Sequence, residues 1–408
     1  MRYFLFAILL LFGAPGADAR QFDVVPGGEG LAATIAEASA GDRIVLLPGI
    51  HSATAVTIDK PLTIEGRPGA IVDGGGQGSI LLVETNNVTI RDLHIRNTGV
   101  SYSRDFAAVK VENAKDCLFE NNLITDVAYG FHIARSSAIL VRSNTIHSAF
   151  TDQTSSGNGV HIWYGNNITI TGNRITGQRD GIYLEFLKDG RITGNVCEQN
   201  LRYGLHFMFS DRSEYEDNVF RANGAGVAVM YTKNVTMRRN RFEKSWGGAA
   251  YGLLLKEIND SVVEDNLFLD NSIGMHAEGS TRVKLTGNTW DRNGWAVRIM
   301  GNCEDCVFHQ NIFSGNAFDV GTNTRRNPNR FEGNFWGDYR GYDLDRDGVG
   351  DVPYHPVRLF AMLVEKNPPA LIFLRSAFVS LLDVMESVAP ALTPETLVDE
   401  APLMRRPK

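Results

Sequence analysis

The chain has 408 residues, is 43% hydrophobic, carries 41 glycines and has a formal net charge of -7. That length can bury a large core. The acidic balance, with no basic stretch, argues against nucleic acid as a partner, because neutralising phosphates needs a cationic face.

At the N-terminus Arg2 precedes an apolar run from Phe4 to Phe12, and Ala17-Asp18-Ala19 supplies a small-x-small cleavage site. Residues 1–19 therefore read as a secretory signal peptide cleaved near Ala19, so that the mature protein is exported. Leu31 to Ala40 is a helix-forming run, expected to cover the open end of a first coil whose strand edges would otherwise be unpaired. Short β-type segments follow at Ala55 to Ile58, Leu62 to Ile64 and Ala70 to Val72.

From Asn87 a repeat becomes regular, and Tyr203 to Phe220 is its clearest copy. The first half reads Gly-h-x-h, with Leu205 and Phe207 apolar. The second half reads h-x-x-Asn-x-h, with Tyr215, Asn218 and Phe220. The asparagine recurs at 122, 144, 173, 195, 218, 240, 266, 288, 311 and 334, always with an apolar residue three before it and another two after. A period this short, with alternation and no helical stripe, predicts an all-β right-handed parallel β-helix over residues 20–340, with about ten coils of 22–23 residues. Asparagine suits the corner because it tolerates left-handed backbone and its side chains can hydrogen-bond along a ladder.

Two steps are longer, at 29 and 26 residues. The extra residues fall at Ser148 to Asn158 and Lys244 to Ala250, on one edge, where loops frame a binding face. Cys117, Cys197 and Cys306 take inward positions and read as small buried hydrophobes. Cys303 and Cys306 have CxxC spacing, a weak metal or redox signal without a second pair.

The x residue of Gly-h-x-h points outward. Coil by coil it is His132, His161, Tyr183, His206, Ala228, Leu254, His276 and Arg298. Two residues along each strand stand Ala134, Trp163, Glu185, Met208, Met230, Lys256, Glu278 and Met300. Coils stack ~4.8 Å apart and residues i and i+2 are ~6.6 Å apart, so His206, Met208 and Met230 form a triangle, with His161, His276 and Met300 as neighbours. Imidazole with thioethers suits Cu(I) and suits calcium or magnesium poorly. The competing reading is ordinary packing beneath the loops.

Residues 341–356 form an acidic turn in which Asp343, Asp345, Asp347 and Asp351, with glycine at the sharp turn, match the first half of a calcium loop. Residues 357–408 are predicted to be helical. The stripe Leu371, Leu374, Phe378, Leu381, Met385 and Val388 implies an amphipathic helix over 370–388, and its width leaves apolar surface for a partner or a membrane surface beyond what a cap requires. Arg375, Asp383 and Glu386 argue against a span.

The repeat, the strand Gly204-Leu-His-Phe-Met208 and the ending Gly333-Asn-Phe-Trp-Gly-Asp-Tyr339 before the Asp-rich loop resemble the periplasmic NosD family. These are nitrous oxide reductase maturation proteins on the β-helix module otherwise found in carbohydrate-binding proteins and sugar hydrolases. The resemblance implies a non-enzymatic partner of an ABC transporter, both permease and ATPase, membrane-associated through the permease. With a copper chaperone it would bind or relay Cu(I), supplying or supporting copper-site assembly in the nitrous oxide reductase apoprotein. The rival class is a polysaccharide lyase or glycosidase, which needs two carboxylates ~5 to 9.5 Å apart. Glu185 and Glu278 are four coils apart, roughly 19 Å, but Asp180 could approach Glu185. A sugar-binding module with Trp163 and Tyr183 as stacking platforms is the third reading.

Overall fold

A computed structural model describes residues 19–28, 30–149, 152–247, 250–324, 326–374, 376–388 and 397–407. The expected signal peptide lies almost wholly outside them. The chain winds into a parallel β-helix with three sheets of 14, 12 and 13 strands, each strand hydrogen-bonded to its counterpart one coil on. The solenoid is longer than ten coils because the first coils, built on strands such as Arg43–Leu46 and Thr63–Gly66, lack the corner asparagine by which coils are recognised in the sequence. A strand at Gln21–Val24 and helix α1 (Gly30–Glu37) close the N-terminal end. Leu31 and Ile35 of α1 are buried in the first coil, and Lys60 Nζ donates to the carbonyls of Ile35, Ala36 and Ala38 at the end of this helix.

Inward rows stack. Phe220, Phe242, Phe268, Trp290, Phe313 and Trp336, each two residues after the corner asparagine, lie in near-parallel contact with ring centroids 4.2 to 5.7 Å apart. Cys117, Cys197, Cys303 and Cys306 are buried and free; burial pushes the Cys306 thiol up to about 12 and raises that of Cys303 as well, which disfavours the thiolates a metal would need.

The asparagine ladder is present: Asn218, for example, donates from its backbone N and from Nδ2 to Asn240 Oδ1 at 3.1 and 3.0 Å, and from Nδ2 to the Ile192 carbonyl at 2.9 Å. The expected backbone reason is wrong by one residue. The left-handed conformation belongs to the residue before, as at Asn121, Ser143, Gly172, Asp217 and Arg239, while the ladder asparagine is held for its side chain. A second ladder that the repeat template did not reveal runs through Asn200 and Asn223, and again through Asn271, Asn293 and Asn316.

The C-terminal end differs from expectation. Residues 397–403 do not continue a helical segment but return to the last coil, with Asp399 bridging to Phe331 and Leu403 to Phe335. Asp399 is fully buried and its carboxylate accepts from Gly333 N, Asn334 N, Asn334 Nδ2 and Trp336 Nε1 at 2.9 to 3.0 Å. It takes the place that the next asparagine would fill, ending the ladder with an acceptor.

Between the acidic turn and this return lie helix α2 (Leu359–Lys366), a 3-10 turn at Pro368–Phe373 and helix α3 (Ala377–Val388). The continuous helix expected over 370–388 is therefore broken. Two prolines at the start of the 3-10 turn supply no backbone N–H, and α3 starts anew after them. Phe360, Ala361, Val364 and Val379 pack with Trp295 and Phe318 of the last coils. Arg298 donates to both oxygens of Glu365 at 2.5 and 2.7 Å, tying α2 to the outer face.

Candidate metal-binding face

The 12-stranded sheet carries the outward histidine row, and its register follows the sequence alignment: His132 pairs with His161, then Tyr183, His206, Ala228, Leu254, His276 and Arg298. The longer loops at 148–158 and 244–250, so far as they are described, enter this sheet from the same edge, before strands Asn158–Trp163 and Tyr251–Lys256. Trp246 on the second stands well out into solvent.

His206 and Met208 share strand Tyr203–Met208, and Met230 lies directly opposite Met208 on the next coil. The methionines are half-buried rather than fully outward. Met208 Sδ accepts a hydrogen bond from Tyr183 OH at 3.4 Å. His206 is 4% exposed and neither ring nitrogen has a hydrogen-bond partner among the described residues. A buried imidazole without partners costs free energy unless something else ligates it, so the donor set fits a soft ion.

The remaining candidates do not join this triangle. Tyr183 lies between His161 and His206, its ring centroid 4.8 Å from one and 4.7 Å from the other, so the two imidazoles face it rather than each other. His161 is held neutral, its pKa lowered to about 3 by burial first and then by His132 and Arg179. His276 and Met300 lie beyond Ala228 and Leu254 and line a separate cavity.

Sequence reasoning named Asp180 only as a sugar-hydrolysis partner and missed its place beside the metal face. It is 1% exposed, its Oδ1 accepts from Tyr203 N at 3.1 Å, and its Oδ2 lies 3.8 Å from His206 Nδ1. The strand Asp180–Glu185 is extended, so the two Cα atoms are about 16 Å apart at ~3.3 Å per residue, and the carboxyl of Asp180 turns to His206 instead. The anticipated approach of Asp180 to Glu185 is not made, and these carboxylates do not flank a common bond. Nor are the proposed sugar platforms open. Tyr183 has an imidazole on each side, Arg135 sits 5.3 Å over the Trp163 ring, and the neighbouring stack of exposed Tyr164, half-buried Phe186 and exposed Phe209 and Tyr231 presents its edges, its faces covering one another at 4.5 to 5.2 Å.

In the acidic turn, carboxylate oxygens of Asp343, Asp345 and Asp347 lie within 4.8 Å of one another. Asp351 is outside this group, its Oδ2 accepting from Leu344 N at 2.7 Å and bracing the turn. The turn touches the returning tail through Gly350 N to the Pro402 carbonyl at 2.8 Å and Met404 N to the Gly348 carbonyl at 3.0 Å.

The apolar stripe expected on the C-terminal segment faces outward. Leu371, Phe378, Leu381 and Met385, with Ile372 and Phe373, are exposed, whereas Leu374 and the off-stripe Val379 and Leu382 pack inward. The side chain of Val388 lies outside the described residues. Among those residues, no helix is long and apolar enough to cross a membrane.

Residues 146–341 match the family model described as "Periplasmic copper-binding protein (NosD)". A Pseudomonas aeruginosa protein named "Probable ABC transporter binding protein NosD" is 28% identical over 98% of this chain and 94% of its own length. One of the same name from Stutzerimonas stutzeri is 26% identical over 90% of this chain and 88% of its own. Among solved structures, the Yersinia enterocolitica Family 28 exopolygalacturonase matches with TM-score 0.59 and 11% identity over 77% of each chain, which establishes the parallel β-helix fold and nothing of activity.

Proposed function

We propose, from the premise that this chain resembles the NosD family over nearly its whole length, that it is a periplasmic, non-enzymatic accessory protein of nitrous oxide reductase maturation that binds and relays Cu(I). The observation that carries the reading is the buried, unpartnered imidazole of His206 on the strand of Met208 and beside Met230. Two thioethers and an imidazole would hold Cu(I), with Asp180 and Tyr183 positioning the ring and the first sulfur. Reconstitution with Cu(I) under reducing conditions, followed by desalting and metal analysis, tests it. Bound copper in the purified protein is the expected result, and a copper-free protein sinks the reading.

The transporter association carried in the relatives' names gives the outward apolar face of the C-terminal helices a role: docking on the periplasmic side of the permease. Burying ~400 Å² of such surface contributes on the order of 10 kcal/mol before association costs, at about 25 cal/mol per Å². Deleting residues 370–408 is an unsuitable test, because it removes Asp399. Phe378→Glu/Leu381→Glu leaves the packed residues Val379 and Leu382 in place. This variant is expected to keep its circular dichroism spectrum and melting temperature and to lose co-purification with the permease. Wild-type co-purification yield would contradict docking through this face.

Calcium at Asp343, Asp345 and Asp347 would order the acidic turn and, through its bonds to residues 402 and 404, the returning tail. Chelator is expected to lower the melting temperature by several degrees and added calcium to restore it, since an ion bound only by the folded state stabilises by mass action. Asp345→Asn/Asp347→Asn should abolish that response; an unchanged melting temperature in the wild type argues against an occupied loop.

A further inference from the structure

The triangle of His206, Met208 and Met230 has a counterpart 70 residues on, in which every member is displaced by that same number: His276, Glu278 and Met300. His276 and Glu278 occupy one strand, Ile273–Glu278, at the same i and i+2 positions as His206 and Met208. Met300 follows Ile299, which pairs with Ala277, so it stands beside Glu278 as Met230 stands beside Met208. The two triangles are three coils apart, roughly 14 Å at ~4.8 Å per coil, and the intervening row positions are Ala228 and Leu254, which offer no ligand. One ion cannot be shared across that distance.

A solenoid repeats its backbone, but it does not require two ligating residues to recur at matching outward positions, where side chains vary freely. Two further observations single the second triangle out. His276, Glu278 and Met300 together line a cavity of about 580 Å³. The His276 ring is 9% exposed, and its Nδ1 has no hydrogen-bond partner among the described residues. The charge nearest in the row, that of Arg298, is taken up by Glu365 of α2.

We infer that His276, Glu278 and Met300 form a second copper site, distinct from the first, in which a carboxylate replaces one thioether. The inference rests on the copper-binding reading of this face and extends it from one site to two. Imidazole, carboxylate and thioether make a less soft set than imidazole with two thioethers, so the second site accepts Cu(II) as well as Cu(I), whereas the first favours Cu(I) alone.

Competition titration with a chromogenic Cu(I) ligand tests this on the full-length mature protein. The wild type is expected to take up two equivalents. Met208→Ala/Met230→Ala and His276→Ala/Met300→Ala should each take up one, with unchanged circular dichroism because none of the altered side chains belongs to the packed core of the solenoid. Glu278→Gln keeps the shape of the side chain. It should weaken the second equivalent at least tenfold and remove the Cu(II) signal seen by electron paramagnetic resonance after titration with Cu(II). A wild type that binds one equivalent, lost in Met208→Ala/Met230→Ala and untouched by Glu278→Gln, overturns the second site while leaving the first intact. A wild type that binds no copper overturns the first reading itself.

Discussion

Replacing Asp399 by alanine is expected to destabilise the protein by roughly 4 kcal/mol or more. The carboxylate accepts from two backbone and two side-chain N–H groups of the last coil, three of them on fully buried residues. Each donor left without an acceptor costs about 1–3 kcal/mol, the sum being reduced by relaxation and water entry at this end. In a solenoid the loss is local, because each coil is held by its neighbours, so the coils of Asn311 and Asn334 should open first. Hydrogen exchange over residues 307–336 should therefore rise before that of residues 130–230. Asp399→Asn retains an acceptor oxygen and should recover part of the protection. Uniform exchange along the chain in Asp399→Ala would contradict an end-cap role.

The second large effect concerns copper. Met208→Ala/Met230→Ala removes both thioethers of the first triangle and leaves His206 with neighbours that are poor Cu(I) ligands. Loss of an orienting group alone costs about 10–100-fold in metal affinity, so loss of two ligands should weaken Cu(I) at this site by more than about 100-fold. Met208→Ala also frees Tyr183 OH from its sulfur partner, so a Tyr183→Phe control separates that contact from ligation.

Much of this was legible in the sequence because a parallel solenoid makes register a matter of counting. Once Asn218 and Asn240 are aligned, Met208 and Met230 must be neighbours, and the structure pairs them. What escaped depends on features the count does not carry. Asp180 lies outside the Gly-h-x-h template, three residues before Tyr183, and approaches His206 only through its side-chain direction. The second asparagine ladder is interrupted at Ser245, which breaks its period. Asp399 closes the ladder across 65 residues of unrelated chain, and no local pattern announces such a return. The C-terminal stripe was visible, but which of two apolar faces packs inward was decided by tertiary contacts of Val379 and Leu382.

X-ray absorption at the copper edge tests most directly whether a thioether and imidazole triangle holds Cu(I) on this face. Protein carrying His276→Ala/Met300→Ala and loaded with less than one equivalent of Cu(I) confines the metal to the first triangle. The expected first shell contains sulfur and nitrogen together, and the sulfur contribution should vanish when Met208→Ala/Met230→Ala is added. A sulfur contribution that persists unchanged in that combined variant, or a first shell without sulfur in its parent, would contradict the assignment.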